Sequence, residues 1–196
     1  MTTISPKDPE RRIWLAATAV VGGAGLTATA VPFVASLAPS ERARAAGAPV
    51  SFDLQGMKEG EFRTAEWRRQ PVFVLRRSAD MLESLQKHDE LLADPQSTRS
   101  DQPTYAKNVD RSIRPEYGVV VGVCTHLGCI PTFRPKPGAA DIGAFWPGGF
   151  YCPCHGSKFD LAGRVFKNVP APTNLVVPPY HFASDTSLLI GVDPNA

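Results

Sequence analysis

Two short segments carry the chemistry of this sequence. Cys124-Thr125-His126-Leu127-Gly128-Cys129 and Cys152-Pro153-Cys154-His155-Gly156-Ser157 hold all four cysteines and two of the four histidines of the chain. Each offers one Cys and one His a few residues apart, C-x-H in the first and C-x-x-H in the second, and each carries a further cysteine. Two thiolates with two imidazoles bind either structural zinc or a [2Fe–2S] cluster. Zinc sites commonly pair their cysteines first and their histidines second, whereas here both segments mix the two types. Two matched, mixed loops suit a cluster that has two Cys on one iron and two His on the other. Four cysteines also allow three disulfide pairings, and the residues alone do not choose among them.

The elements that must position these loops read mainly as strands. Val50–Leu54, Glu61–Trp67, Pro71–Arg76, Gly118–Val123, Phe150–Tyr151, Leu175–Val177 and Leu188–Val192 are short β-like runs separated by Gly, Pro or charged residues. GVVVGV, the fourth of these, is nearly continuous and β-branched, as expected of a strand buried on both faces. Between them, Ser78 to about Leu92 predicts one surface helix with Ser78 as its N-cap, followed by a polar loop to about Arg114. Nineteen prolines and sixteen glycines agree with a loop-rich all-β head rather than a helical bundle. A net charge of +2 excludes a basic nucleic-acid binder. His88 and His181 stand apart from the cysteine motifs and read as surface or packing residues.

The N-terminus differs in kind. Ile13 to Leu37 runs 25 residues without an ionisable side chain, long enough to cross a hydrocarbon core of about 30 Å. A cleavable signal has a shorter apolar core, so an uncleaved anchor is expected. Its small residues favour close packing with other helices, and Pro32 is expected to kink or shorten it near the far end. Arg11 and Arg12 before the span are balanced by Arg42 and Arg44 after it, so charge does not orient it. The Arg11-Arg12 pair does resemble a twin-arginine export signal. Residues 39–49, PSERARAAGAP, read as a linker whose Ala-rich middle is coil in one state and helix in another.

The loops C-T-H-L-G-C and C-P-C-H-G-S resemble those of the Rieske iron–sulfur subunits of cytochrome bc-type complexes (ubiquinol–cytochrome c reductase), of the proteobacterial type. Gly163-Arg164 followed by Val169-Pro170-Ala171-Pro172 is similar to that family's proline-containing loop over the cluster, and Trp67–Val74 and Asn174-Leu175 through Pro178 also resemble segments of the family. The resemblance covers essentially the whole chain. It implies an all-β head of antiparallel sheets with one helical insertion and a small cluster-binding subdomain, about 118–176, plus one N-terminal transmembrane helix. The implied organisation is a cytoplasmic tail at 1–12, an anchor at 13–38, a flexible hinge at 39–49 and a periplasmic head at 50–196.

The resemblance further implies one [2Fe–2S] cluster, with Cys124 and Cys152 on the buried iron, His126 and His155 on the outer iron, and a Cys129–Cys154 disulfide. His155 and His126 would meet quinol, with Nε2 of His155 taking a hydrogen bond and then a proton. Ser157 would donate to a bridging sulfide, and Leu127 would dock against the quinone pocket. Imidazole ligation places such centres at about −150 to +300 mV, suited to quinol. The chain departs from many relatives at Phe159, where they carry Tyr, and a lower potential is expected. Implied partners are quinol, cytochrome b and a c-type cytochrome in a dimeric complex of the bacterial inner membrane, with no nucleic acid. The Rieske small subunit of an arsenite-oxidase-type enzyme is the alternative. A soluble Rieske ferredoxin is disfavoured by the anchor and by the second cysteine pair.

Overall fold

The computed structural model describes residues 8–193, so the start of the tail (1–7) and the last residues (194–196) lie outside the described residues. Packing divides the chain into two units, with the boundary after Ala45.

The first unit is dominated by helix α1 (Pro9–Ser36), which begins at Asp8, whose side chain accepts a hydrogen bond from the Glu10 amide at 3.0 Å, with Pro9 in the first turn. Its 28 residues rise about 42 Å, and with a mean hydropathy of 1.5 over its most apolar 18-residue window it is long and apolar enough to cross a membrane. Its hydroxyls turn inward on the helix: Thr18 donates to Trp14 O at 2.8 Å, Thr27 to Gly23 O at 2.9 Å and Thr29 to Gly25 O at 3.0 Å. Those bonds hide the polar groups that would otherwise oppose burial in lipid. The helix runs through Pro32 to Ser36 rather than ending there, because the lost donor affects only one bond near its C-terminal end. A short helix α2 (Glu41–Ala46) occupies the middle of the expected linker, with Ser40 Oγ accepting from the Ala43 amide.

Among the described residues the head contains three antiparallel three-stranded sheets. β1 (Val50–Asp53) pairs with β9 (Ser187–Ile190), which pairs with β8 (Tyr180–Ser184). β2 (Phe62–Trp67), β3 (Gln70–Arg76) and β4 (Tyr117–Val121) form the second sheet. β5 (Thr132–Arg134), β6 (Gly149–Tyr151) and β7 (Lys158–Phe159) form the third, whose strand ends carry the cysteine loops. β4 is buried along its whole length, matching its continuous apolar run. Trp67 pairs with Gln70 across a two-residue turn in which Arg68 and Arg69 have φ of 52° and 59°, a type I′ hairpin closed without Asn or Gly. The Arg68 guanidinium lies 4.4 Å over the Trp67 ring, which compensates part of that strain.

Phe62, Phe73, Phe133 and Phe150 join the second and third sheets, with Phe62–Phe133 centroids at 4.9 Å and Phe73–Phe150 at 5.4 Å. Gly149 permits the close approach of β6 to β7: its φ is 151°, and a Cβ there would collide with the Phe159 carbonyl oxygen.

Two expected elements differ. The helix expected from Ser78 to Leu92 is capped by Ser78 as read, but α3 (Ala79–Leu85) ends early and a 3₁₀ turn covers Asp89–Leu91. The break lets His88 turn inward and lets the backbone join the neighbouring segment, with Ala93 N on Val165 O and Lys167 N on Leu91 O. Leu175–Val177 is extended but is not a strand, because its hydrogen bonds go to three different places. Leu175 N reaches Gly163 O, Val177 N reaches Asp101 O, and Val176 O accepts from Val121 N.

Candidate metal centre

The two cysteine loops close with the same hydrogen bonds. In the first, Cys124 N donates to Cys129 O at 2.7 Å and Gly128 N to Cys124 O at 3.0 Å. In the second, Cys152 N donates to Ser157 O at 2.8 Å and Gly156 N to Cys152 O at 3.0 Å. Each loop turns on a glycine with positive φ, 83° at Gly128 and 75° at Gly156, which a side chain would strain. The leading cysteine of each loop is buried, with Cys124 at 3% and Cys152 at 2% exposure. His126 is half-buried and His155 exposed, their ring centroids 4.8 Å apart and their planes at 87°. Cys129 and Cys154 form a disulfide between the loops.

The sulfurs of Cys129, Cys152 and Cys154 lie within 4.8 Å of one another, but two of them are bonded to each other. The free donors are therefore the thiols of Cys124 and Cys152 and the two imidazoles. Burial raises the Cys124 pKa and the adjacent Cys152 adds to that, while the His126 amide and the Ser157 hydroxyl pull it down by hydrogen bonding to the sulfur. A paired thiol site, dry and already supplied with donors, next to two imidazoles at the rim, fits a Cys₂His₂ cluster.

A third segment closes over both loops. Thr125 Oγ1 donates to Thr173 O at 2.7 Å, and Ala171 N donates to Ser157 Oγ at 3.1 Å, so the 169–173 proline segment is tied to each loop. Beside the loop tips Leu127 is 71% exposed and Ile130 58%.

Behind β7 lies a polar hub that the sequence reading missed. Arg77, Arg111 and Arg164 are almost fully buried around the Asp160–Arg164 turn. Arg77 Nε donates to Leu161 O at 3.2 Å and Arg111 Nη1 to Ala162 O at 3.1 Å, while Arg164 Nε meets Asp160 Oδ2 at 2.7 Å. Burial lowers Arg111 to about 10, with Asp160 and Asp94 opposing the drop, so it stays charged at neutral pH. Burial alone would raise the Asp160 carboxyl, but the hydrogen bond from His88 and the charge of Arg164 outweigh it and hold the group below its ordinary value. His88, expected at the surface or in packing, is buried, stacks on Phe166 and lies 3.3 Å from Asp160. His181 is half-buried, its Nδ1 without a partner among the described residues.

Residues 50–181 match the family described as the Rieske [2Fe-2S] domain. The chain is 56% identical over 183 residues to the ubiquinol-cytochrome c reductase iron-sulfur subunit of Allochromatium vinosum, covering 93% of this chain and 88% of that one. It is 40% identical to the subunit of the same name from Blastochloris viridis, covering 97% and 98%. Among solved structures, a chain of a hyperthermophilic respiratory Complex III is 26% identical with a TM-score of 0.46, covering 90% of this chain and 98% of that one. This class of fold, a loop-rich all-β head with paired Cys/His loops, is that of cluster-carrying electron-transfer proteins. The chain belongs to the Rieske [2Fe–2S] family, and its cofactor is one [2Fe–2S] cluster.

Proposed function

We infer that this chain is the iron–sulfur subunit of a quinol–cytochrome c oxidoreductase, taking an electron from quinol and delivering it to a c-type cytochrome. The observation that carries this reading is the burial gradient across the loops: two buried thiols behind, two imidazoles in front, the outer one exposed beside an apolar rim. The subunits named above from Allochromatium vinosum and Blastochloris viridis support this reading over an arsenite-oxidase-type subunit.

Cys124, His126, Cys152 and His155 hold the cluster, which when bound supplies a one-electron acceptor. The redox enzyme is the assembled complex, and this chain contributes its mobile acceptor. His155 accepts a hydrogen bond from the quinol hydroxyl at Nε2 and then holds its proton, with the half-buried His126 as the second ring. Leu127 and Ile130 form an apolar collar that seats the tip in a quinone pocket of a cytochrome b and excludes water from the proton transfer. Ser157 donates to sulfur from below.

Residues 13–38 anchor the chain in the bacterial inner membrane with the tail 1–12 on the cytoplasmic side, the Arg11-Arg12 pair acting as the export signal. The linker 39–49 is the hinge, and the head 50–196 works on the periplasmic side, with the cluster-binding subdomain at about 118–176. The complex is dimeric.

The test is to purify the full chain in detergent with iron–sulfur assembly intact, reduce it with dithionite and record its EPR spectrum. A rhombic Rieske signal with two irons per chain supports the reading; a colourless, EPR-silent protein that binds zinc overturns it.

A further inference from the structure

The proline segment that closes over both loops is itself held from outside by one residue. Asn174 is completely buried and uses every polar atom of its side chain. Its Oδ1 accepts from Val165 N at 2.8 Å, and its Nδ2 donates to Asp94 O at 3.0 Å and to Ser97 Oγ at 2.8 Å. Its own amide donates to Ser100 Oγ at 3.1 Å. One side chain therefore joins three stretches far apart in sequence: the 94–100 loop, the strand-like segment leaving the Asp160–Arg164 turn, and the end of the proline segment.

The 94–100 loop is organised to receive it. Asp94 Oδ1 accepts from Thr98 N at 2.8 Å, and Oδ2 accepts from Arg99 N at 3.1 Å and from Ser100 Oγ at 2.7 Å. Ser100 Oγ thus gives its proton to Asp94 and takes one from Asn174 N, which fixes its orientation. Ser97 is buried with a φ of 52°, a left-handed conformation that the Asn174 bond and the Gln102 Nε2–Ser97 O bond at 2.7 Å help to hold. The residue preceding Asn174 is Thr173, whose carbonyl takes the Thr125 hydroxyl between Cys124 and His126. Three residues before Asn174 is Ala171, whose amide holds Ser157 Oγ. Both attachments between the proline segment and the cluster loops lie within three residues of this one buried amide.

We propose that Asn174, braced by Asp94, Ser97 and Ser100, is a positioning residue that holds the proline segment across both cluster loops and so governs retention and potential of the cluster. The inference rests on the functional reading above. It assigns a role to the 94–100 loop, which otherwise stands as an unexplained insertion far from the cysteines in sequence. An amide is needed here because the site presents one donor and two acceptors at fixed places; a carboxylate or an aliphatic side chain leaves buried polar groups unpaired.

The experiment uses the full chain in detergent and three variants. Asn174→Asp keeps the acceptor for Val165 N and removes both side-chain donations; Ser100→Ala removes the outer brace; Leu188→Ala, in β9, lowers stability without touching the brace. Each is measured for iron content, thermal unfolding, rate of colour loss in air, EPR line shape and midpoint potential. The wild-type protein must first show the Rieske signal, since its absence would refute the functional reading rather than this one. Asn174→Asp and Ser100→Ala are expected to lose cluster about tenfold faster than wild type, as typical of lost supporting hydrogen bonds, with altered line shape and potential. Leu188→Ala at matched loss of melting temperature is expected to keep the wild-type spectrum. If the Asn174 and Ser100 variants lose stability yet keep line shape, potential and cluster lifetime like Leu188→Ala, the proposal is overturned. Should Asn174→Asp not fold, the same reading of Ser100→Ala decides.

Discussion

Arg164 Nε donates to Asp160 Oδ2 at 2.7 Å, and neither side chain has any solvent exposure. Asp160 also accepts from the amides of Ala162 at 2.9 Å and Arg164 at 2.7 Å, so one carboxylate closes the turn that leads from the second cysteine loop to the proline segment. Breaking such a buried pair leaves the Arg164 guanidinium with only the half-exposed Asp89 as carboxylate partner, at 2.8 Å. Asp160→Asn should destabilise the head by about 3–5 kcal/mol, read by chemical denaturation. An effect below about 1 kcal/mol would mean that the backbone carbonyls, Gln102 and Asp89 satisfy Arg77, Arg111 and Arg164 without Asp160.

The same carboxylate sets an acid limit. Burial works to raise Asp160, but His88 and Arg164 bring it below its ordinary value. Burial likewise works to raise Asp94, and the bonds from Ser100, Thr98 and Arg99 overcome it. A depressed folded-state pKa contributes stability that is complete above the unfolded value, about 3.9, and is lost as pH falls through the folded value. The head should therefore hold its stability on descending to about pH 4 and lose it steeply below. Asp160→Asn should flatten that acid limb in a series of denaturation curves against pH.

Ser157 accepts from Ala171 N and directs its own proton to Cys124 sulfur. A donor to sulfur favours the electron-rich state, so Ser157→Ala should lower the midpoint potential in an EPR-monitored titration. Cluster loss should also accelerate, since the Ala171 amide loses its partner.

Phe159 is wholly buried in the same core as Cys124 and Cys152, on the strand that leaves the second loop. Phe159→Tyr introduces a donor into the core that holds the Cys124 and Cys152 sulfurs and should raise the potential, measured in the same titration. A potential unmoved by the hydroxyl would show that the ring edge does not reach sulfur.

Leu127 is 71% exposed and lies outside the buried core, so Leu127→Ala should leave stability within about 0.5 kcal/mol and the EPR spectrum intact. Quinol-dependent turnover of the assembled complex should fall roughly five- to tenfold, from about 1–1.4 kcal/mol of lost apolar burial at the docking tip. Unchanged turnover would remove Leu127 from the docking surface.

Much of this architecture was legible because local pattern and tertiary environment agree. GVVVGV reads as a doubly buried strand, and Tyr117–Val121 is one; Ser78 reads as an N-cap and accepts the Met81 amide. The cysteine loops stand out because their ligand types are rare and closely spaced. What could not be read lacks a pattern in its own residues. β5 and β7 are strands of two or three residues defined by pairing across a loop rather than by any pattern of their own, as Thr132 opposite Tyr151 illustrates, and β8 is defined by its hairpin with β9. The helix from Ser78 ends at Leu85 because His88 is drawn to Asp160, 72 residues on. The hairpin turn at Arg68-Arg69 lacks the usual Asn-Gly signal, and the arginine hub looks in sequence like ordinary surface charge. Asn174 reads as a loop polar residue, since nothing in its neighbours announces three distant hydrogen-bond partners.

The matched closure of the two cysteine loops has a consequence for a protein that shuttles charge. Both are locked by the same pair of main-chain bonds, stitched rim to rim by Cys129–Cys154 and covered by a segment pinned at Thr125 and Ser157. Little in that frame is free to relax when an electron arrives or leaves, so its dipoles are set in advance and reorganisation on transfer is small. The head can then be discharged by one partner in the same shape in which the other charged it.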